Sequence, residues 1–239
     1  MSGSPANVGY PRPVASLPDH LGPAPVGKQQ LAREIVASHQ RARILDAATA
    51  VFAEEGFPAA TVDDIVTAAE IGVGSFYALC SGKEDCLLRV YDRIVADAKE
   101  ELAKAVAGSS TWEDGFCRCL RRLLDLIAEE PQQARIALVE IQTAGAPALE
   151  RYNETLGEVR RQLAGGRARA DAARWLPQSL EVILGSCLVW LLHRKITFGE
   201  AAATPQLFSE MAELALEPYL GEARTRQVIA EQLLGPKLS

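Results

Sequence analysis

Apolar side chains recur at helical spacing along most of this 239-residue chain, and prolines fall between the segments that they form. No window alternates apolar and polar residues, with β-branched enrichment, for long enough to predict a strand. Because proline cannot continue a helix interior, its positions mark helix ends. The sequence therefore predicts an all-α fold.

Residues 1–27 have a different character. They contain six of the 13 prolines and no apolar periodicity. Such a segment buries too little apolar surface to offset the entropy lost on ordering. We therefore predict an extension over residues 1–27 that takes no part in the fold.

Composition disfavours several classes of protein. Lys plus Arg number 25 against 31 Asp plus Glu, a net charge of -6, so charge alone argues against a nucleic-acid partner. The most apolar run, Val182–Leu192, is about half of the roughly 20 residues needed to cross a bilayer, and no signal peptide begins the chain. Five scattered cysteines are typical of reduced thiols. These features predict a cytoplasmic protein without a membrane partner.

Three short helices are predicted between Gln40 and Leu88. The first carries one apolar face and has Gly56 to end it. The second runs from Thr61 to about Ala69, with Thr61 as its N-cap. The third, about Gly72 to Leu79, follows a turn of two or three residues, which is too tight for antiparallel packing. This order predicts a helix-turn-helix motif.

Helical spacing divides the third helix into two faces. Ile71 and Phe76 face inward at the turn and in the helix. Four residues are left together on an exposed face: Val73, Gly74, Tyr77 and Ala78. A helix of this diameter fits the major groove of DNA.

Five short motifs follow one another through this region. They read RILDAA at 43–48, VFAEEGF at 51–57, TVDDI at 61–65, GSFY at 74–77 and SGKED at 81–85. In this order and spacing, they resemble the N-terminal domain of the TetR family of bacterial transcriptional regulators.

The resemblance implies a DNA-binding domain over residues 28–90 and a helical effector-binding and dimerisation domain over 91–239. It further implies a homodimer on successive major grooves of a palindromic operator. Because most members of the family repress transcription, it also implies a repressor that a small-molecule effector releases from DNA. The matching positions that would meet DNA are Thr61, Gly72, Val73, Gly74, Ser75, Tyr77, Ala78, Leu79 and Lys83.

The chain departs from the family pattern at several positions. Glu70 stands where the family usually has glycine, Gly72 where Ser or Thr often caps the helix, and Leu79 and Cys80 replace common aromatic or histidine residues. The exposed face thus has few groups able to read base edges, and an outward Glu70 would repel phosphate. Against this, we expect basic residues near the start of the first helix to favour DNA: Lys28, Arg33, Arg41 and Arg43.

Start and stop signals also divide the larger domain into six or so helices. Gly108 ends one helix, and Ser110 with Glu113 predicts a capping box for the next. Thr204 followed by Pro205 predicts another helix start. Val182–Leu192, apolar nearly all round, is expected to be buried on several sides and, with the helix over 204–217, to form the dimer interface.

Five bulky side chains of the larger domain are candidates for an effector pocket, because aromatic walls supply much of the affinity of apolar sites. They are Trp112, Phe116, Tyr152, Trp190 and His193. Each could equally fill the core or a subunit contact.

No catalytic, metal-binding or phosphate-cradling motif occurs in the sequence, so we predict neither an enzyme nor a cofactor. The predicted function is a DNA-binding transcriptional regulator. The alternative is an all-helical small-molecule-binding or adaptor protein with a vestigial helix-turn-helix.

Overall fold

The computed structural model describes residues 26–169 and 175–234, and every regular element within them is helical. This confirms the predicted all-α class. The α-helices are α1 (Val26–Glu55), α2 (Val62–Ala68), α3 (Val73–Leu79), α4 (Lys83–Val106), α5 (Trp112–Glu129), α6 (Pro131–Leu138), α7 (Ala146–Ala164), α8 (Leu180–Thr197), α9 (Phe208–Leu220) and α10 (Glu222–Leu234). Short 3₁₀ segments occupy Glu140–Thr143, Gly165–Arg169 and Ala201–Leu207. None of the described helices is long and apolar enough to cross a membrane.

The chain divides into two compact units, Met1–Gln40 and Arg41–Ser239. Of the first unit the structure describes residues 26–40, the N-terminal part of α1, where Leu31 and Val36 are exposed. The sequence prediction began the first helix too late. Residues 28–34 are a run of good helix formers, and α1 includes them. The rest of the predicted extension, residues 1–25, lies outside the described residues.

Local start and stop signals were predicted correctly around the helix-turn-helix. Gly56 ends α1 with a φ of +80°, a conformation that favours glycine. Thr61 caps α2 by accepting a hydrogen bond from the Asp64 backbone N–H, while the Asp64 carboxylate accepts one from the Thr61 N–H. This reciprocal capping box fixes where the second helix begins.

Two predicted starts in the larger domain were wrong. The N-cap of α5 is Thr111, which accepts from the Asp114 N–H, and not Ser110. Thr204 caps no α-helix, since its hydroxyl is buried and bonded to the carbonyls of Leu124 and Ala201. The α-helix α9 begins only at Phe208, after a 3₁₀ segment that contains Pro205.

Two apolar cores organise the second unit. The first core is formed by helices α1, α2, α3 and α4 together with the segment from α6 to α7. Ile136 and Ile141 of the larger domain therefore pack in the same cluster as Phe52 and Phe76. The second core lies among α5, α8, α9 and α10. The helix-turn-helix is therefore packed directly on the larger domain. The predicted domain boundary after residue 90 falls inside α4 and stays a prediction.

Helix α8 is apolar on both faces but buried on one only. Leu184, Leu188 and Leu192 are buried in the second core. Ile183 and Trp190 point away from that core and are more than half exposed, at 54% and 59%. Burial on several sides, as predicted from the sequence, is thus not achieved within one chain.

Candidate nucleic-acid interface

One face of helix α3 is packed against the first core, and the opposite face is exposed. Phe76 is completely buried, and Ile71 packs half-buried against the first core. The exposed face contains the four predicted residues: Val73, Gly74, Tyr77 and Ala78. Tyr77 is 55% exposed, and its ring meets Phe76 edge to face with centroids 5.4 Å apart. The buried ring thus supports the exposed one.

Glycines stand on either side of Val73 at the start of α3. Gly72 is its N-cap and makes no side-chain cap. A Cβ atom at Gly72 or Gly74 would meet no other atom within 4 Å, so internal packing does not demand glycine at either position. At the other end, Leu79 is half-buried against the first core, which makes it the least suited of the predicted contacts. Ser75 is also half-buried.

Lys83, at the start of α4, has its ammonium group fully engaged within the protein. Its Nζ donates to the carbonyl oxygens of Phe57 and Ala60, each at 2.8 Å, and lies 4.6 Å from the centre of the Phe57 ring. Lys83, predicted to meet phosphate, thus connects the start of α4 to the loop after α1; its contact with DNA stays a prediction.

Thr61 has a similar internal role. Its hydroxyl donates to the Asp64 carboxylate and accepts from the Asp64 backbone N–H. Hydrogen bonds from the Thr61 hydroxyl and backbone hold the pKa of Asp64 below its usual range. A phosphate oxygen needs a donor, and in this arrangement the Thr61 proton already points to a carboxylate.

The turn between α2 and α3 contains a strained acidic residue. Glu70 has a φ of +51°, and no other non-glycine among residues 26–169 and 175–234 has a positive φ. This backbone conformation costs an ordinary side chain about 1–2 kcal/mol. Arg43 fastens the turn by donating to the carbonyl of Ala69 at 2.6 Å, and it lies 4.0 Å from the Glu70 carboxylate. The Glu70 side chain is 87% exposed at this edge of the motif.

Sequence reasoning missed a carboxylate that connects the larger domain to this motif. Glu140, 3% exposed, accepts from the Phe57 backbone N–H at 2.8 Å through Oε2 and from Arg135 Nε at 3.0 Å through Oε1. An acidic residue between apolar Val139 and Ile141 was the only available signal. The contact joins residues 83 positions apart, which no local pattern reveals.

The five candidates for an effector pocket lie in different parts of the larger domain, and their role in binding stays a prediction. Trp112 and Phe116 lie together, with ring centroids 5.8 Å apart, and Tyr219, which was not predicted, meets Trp112 at 5.4 Å. Tyr152 belongs to the first core, Trp190 is exposed and His193 is half-buried late in α8.

A cavity of about 460 Å³ lies elsewhere, between the starts of α4 and α7, and none of the five residues lines it. No group of three His, Cys, Asp or Glu side chains within the described ranges could hold a metal ion.

Taken together, the exposed third helix, its buried support and the helical domain behind it define a helix-turn-helix protein. Residues 44–90 match the family model described as bacterial regulatory proteins, tetR family. Over these residues the chain is similar to the DNA-binding domain of the TetR family.

The sequence similarity to a known protein covers more residues than the family model does. The fatty acid metabolism regulator protein of Bacillus subtilis is 23% identical over 114 residues, which are 48% of this chain and 59% of that protein. The match thus spans a little over half the length of the curated relative.

Two solved structures share the fold. The fatty acid degradation regulator FadR of Bacillus halodurans has a TM-score of 0.65 at 18% identity, covering 74% of this chain and 94% of that one. FadR of Bacillus subtilis in complex with stearoyl-CoA has a TM-score of 0.58 at 16% identity, covering 75% and 98%.

Proposed function

We propose that this protein is a DNA-binding transcriptional regulator that inserts α3 into the major groove and acts in the bacterial cytoplasm without catalysis. The observation that carries the proposal is the exposed face of α3, supported from behind by Phe76. A helix-turn-helix that served only as core would not leave Val73 and Tyr77 about half exposed.

The side chains on the exposed face of α3 favour apolar contacts to bases and hydrogen bonds to phosphate. Val73 and Ala78 can contact thymine methyl groups, and Tyr77 can donate its hydroxyl to a phosphate. Arg43, Thr61 and Lys83 support these contacts by fixing the turn, α2 and the start of α4. We thus assign the latter three to positioning the motif more than to touching DNA.

Two copies of the chain are required to place two recognition helices on a palindrome. We propose that the exposed face of α8, with Ile183 and Trp190, joins a second copy, and that α9 contributes Leu214, which is also exposed. The dimer would set two half-sites about 34 Å apart on one side of the duplex.

We further propose that the protein is a repressor released by a small molecule of the acyl-CoA class. One support is the FadR structure solved with stearoyl-CoA. The other is the apolar second core, where α5, α8 and α9 would separate to enclose an acyl chain. The rings of Trp112 and Phe116 at the edge of this core remain the candidates to contact it. Linkage then requires that effector and operator weaken each other's binding equally.

The DNA proposal predicts that a negative charge on the outer face of α3 abolishes tight binding. Selection from a random duplex library by the full-length chain should enrich a palindrome. For that duplex, Ala78→Glu should weaken binding by roughly 30-fold, about 2 kcal/mol, because the carboxylate faces phosphates. Tyr77→Phe, which keeps the ring on Phe76, should cost about tenfold.

The matched control is Ala103→Glu, the same change at an exposed position far along α4. It should bind the selected duplex as the unaltered protein does, in fluorescence anisotropy at physiological ionic strength. If no duplex is enriched, the vestigial-motif alternative is correct. If Ala78→Glu binds as tightly as Ala103→Glu, α3 does not face the DNA.

The effector proposal predicts release of the selected duplex by stearoyl-CoA. Saturating ligand should raise the dissociation constant at least tenfold, about 1.4 kcal/mol of coupling. Coenzyme A without its acyl chain is the matched control and should have no effect. Equal binding of DNA with and without stearoyl-CoA would remove this effector class but leave DNA binding intact.

A further inference from the structure

The backbone of Phe57 is held by hydrogen bonds at both its N–H and its carbonyl. Its N–H donates to the buried Glu140 carboxylate at 2.8 Å, and its carbonyl accepts from Lys83 Nζ at 2.8 Å. One partner follows α6 in the larger domain, and the other begins α4. The end of α1, from which the helix-turn-helix continues, is thus fixed by polar contacts as well as by the first core.

The Glu140 contact is specific in its geometry. Each carboxylate oxygen has one partner, Arg135 Nε for Oε1 and the Phe57 N–H for Oε2. A Cβ atom at Gly56 would lie 3.4 Å from Oε2, an ordinary contact, so Gly56 is favoured by its φ of +80° and the carboxylate approaches without steric conflict. A carboxylate that accepts charge-assisted hydrogen bonds in a buried site resists displacement more than an apolar contact does.

Glu140 connects the Phe57 backbone N–H to the helices of the larger domain. It lies two residues beyond the end of α6, and Arg135 is on α6 itself. Helix α6 packs against α4, α5 and α8. A displacement of α6 within the larger domain would therefore carry the carboxylate, and with it the end of α1.

We propose that Glu140 is a positioning residue for DNA binding: it fixes the helix-turn-helix on the larger domain and so sets the separation of the two recognition helices in a dimer. This rests on the proposed DNA-binding function. Glu140 touches no DNA, and its role is to make the protein selective for one half-site spacing.

Half-site spacing supplies a readout that separates positioning from general stability. Moving the half-sites of the selected palindrome apart by one base pair also rotates one by about 34°, which a rigid dimer cannot follow. We expect the unaltered protein to lose about 100-fold in affinity on that duplex. Glu140→Ala should lose less than about tenfold, because its two motifs can adjust. Glu140→Gln keeps an acceptor for the Phe57 N–H and should retain most of the discrimination.

The control is Glu150→Ala, which removes an exposed carboxylate on α7 and should discriminate as the unaltered protein does. A merely structural role would weaken Glu140→Ala on both duplexes by the same factor, and that result would overturn the inference. If the unaltered protein itself binds no DNA, the proposed function fails first, and this inference with it.

A second measurement does not depend on DNA. Hydrogen exchange of the Phe57 amide, followed by NMR, should accelerate by about 100-fold in Glu140→Ala and much less in Glu140→Gln. Amides of the second core, such as that of Leu188, should exchange at unchanged rates. Unchanged protection of the Phe57 amide in Glu140→Ala would contradict the proposed role of the hydrogen bond between Glu140 and Phe57, even if the variant folds poorly.

Discussion

Replacing Ile183 and Trp190 by glutamate should convert a dimer of this protein into folded monomers. Both side chains lie on the outer face of α8 and are more than half exposed in the single chain. They are seven residues apart, so they lie on the same side of the helix two turns apart. Large apolar side chains in this arrangement are typical of a surface that a partner covers.

The expected effect is large because a two-fold interface uses each residue twice. Two substitutions remove four apolar side chains, each contributing roughly 2 kcal/mol when fully buried, and they place four carboxylates at the same surface. Even half of the resulting 8 kcal/mol, about 4 kcal/mol, lowers the association constant by roughly a thousandfold. A monomer reaches only one half-site, so operator affinity should fall by at least about 100-fold.

Sedimentation velocity at micromolar concentration measures the first effect, and anisotropy with the selected palindrome measures the second. Leu149→Glu, at an exposed apolar position on α7, is the matched control and should remain dimeric. Circular dichroism should show the same helix content for both variants. If the double variant sediments with the unaltered protein as a dimer, the interface lies elsewhere.

Local chemistry made much of the fold predictable. The cap at Thr61, the end of α1 at Gly56 and the outward face of α3 depend on residues within a few positions of one another. The start of α5 shows where this reasoning stops. Ser110 and Thr111 each have an acidic residue three positions later, so the pattern allowed both, and the structure uses Thr111.

The hydrogen-bond partners of the long charged side chains in the candidate site could not be predicted from the sequence. Lys83 can reach either phosphates or carbonyl oxygens, and the carbonyls that it contacts belong to residues 23 to 26 positions away. Arg43 likewise finds the Ala69 carbonyl 26 positions along the chain. Only the packing of the first core brings these partners together, and it gives two predicted DNA contacts hydrogen-bond partners within the protein.

Glu181→Ala should destabilise the larger domain by about 3 kcal/mol. The Glu181 carboxylate is buried and accepts two hydrogen bonds from Arg167, at 2.7 and 2.9 Å, and one from the Tyr219 hydroxyl at 2.9 Å. Removing it leaves the buried Tyr219 hydroxyl without its acceptor and the Arg167 guanidinium with only the carbonyls of Leu176 and Pro177, and breaking a buried pair costs about 3–5 kcal/mol. Because α8 and α9 both contribute to this cluster, the variant should also weaken the proposed dimer.

Thermal unfolding provides the measurement. A loss of 3 kcal/mol should lower the melting temperature by roughly 6–12 °C for a chain of this size. Glu200→Ala is the matched control, since Glu200 pairs with Lys195 on the surface, where an ion pair contributes about 0–1 kcal/mol. Equal melting temperatures for the two variants would show that the buried cluster contributes no more than a surface pair.

The destabilisation by Glu181→Ala should also depend on pH in a defined direction. Hydrogen bonds from Arg167, with a smaller one from Tyr219, hold the pKa of Glu181 below its usual value, although burial alone would raise it. The folded state therefore binds this proton less readily than the unfolded state, whose glutamate pKa is about 4.3. Its contribution is fully present above that pH and is lost as the pH falls through the lower pKa of the folded state.

The difference in unfolding free energy between the unaltered protein and Glu181→Ala should thus be largest near neutral pH and shrink in acid. Other carboxylates with lowered pKa values, such as Asp85 and Asp114, affect both proteins alike and cancel in the difference. Denaturant titrations at several pH values would measure it. A difference that stays constant or grows on acidification would mean that the Glu181 carboxylate is not stabilised in its charged form by Arg167.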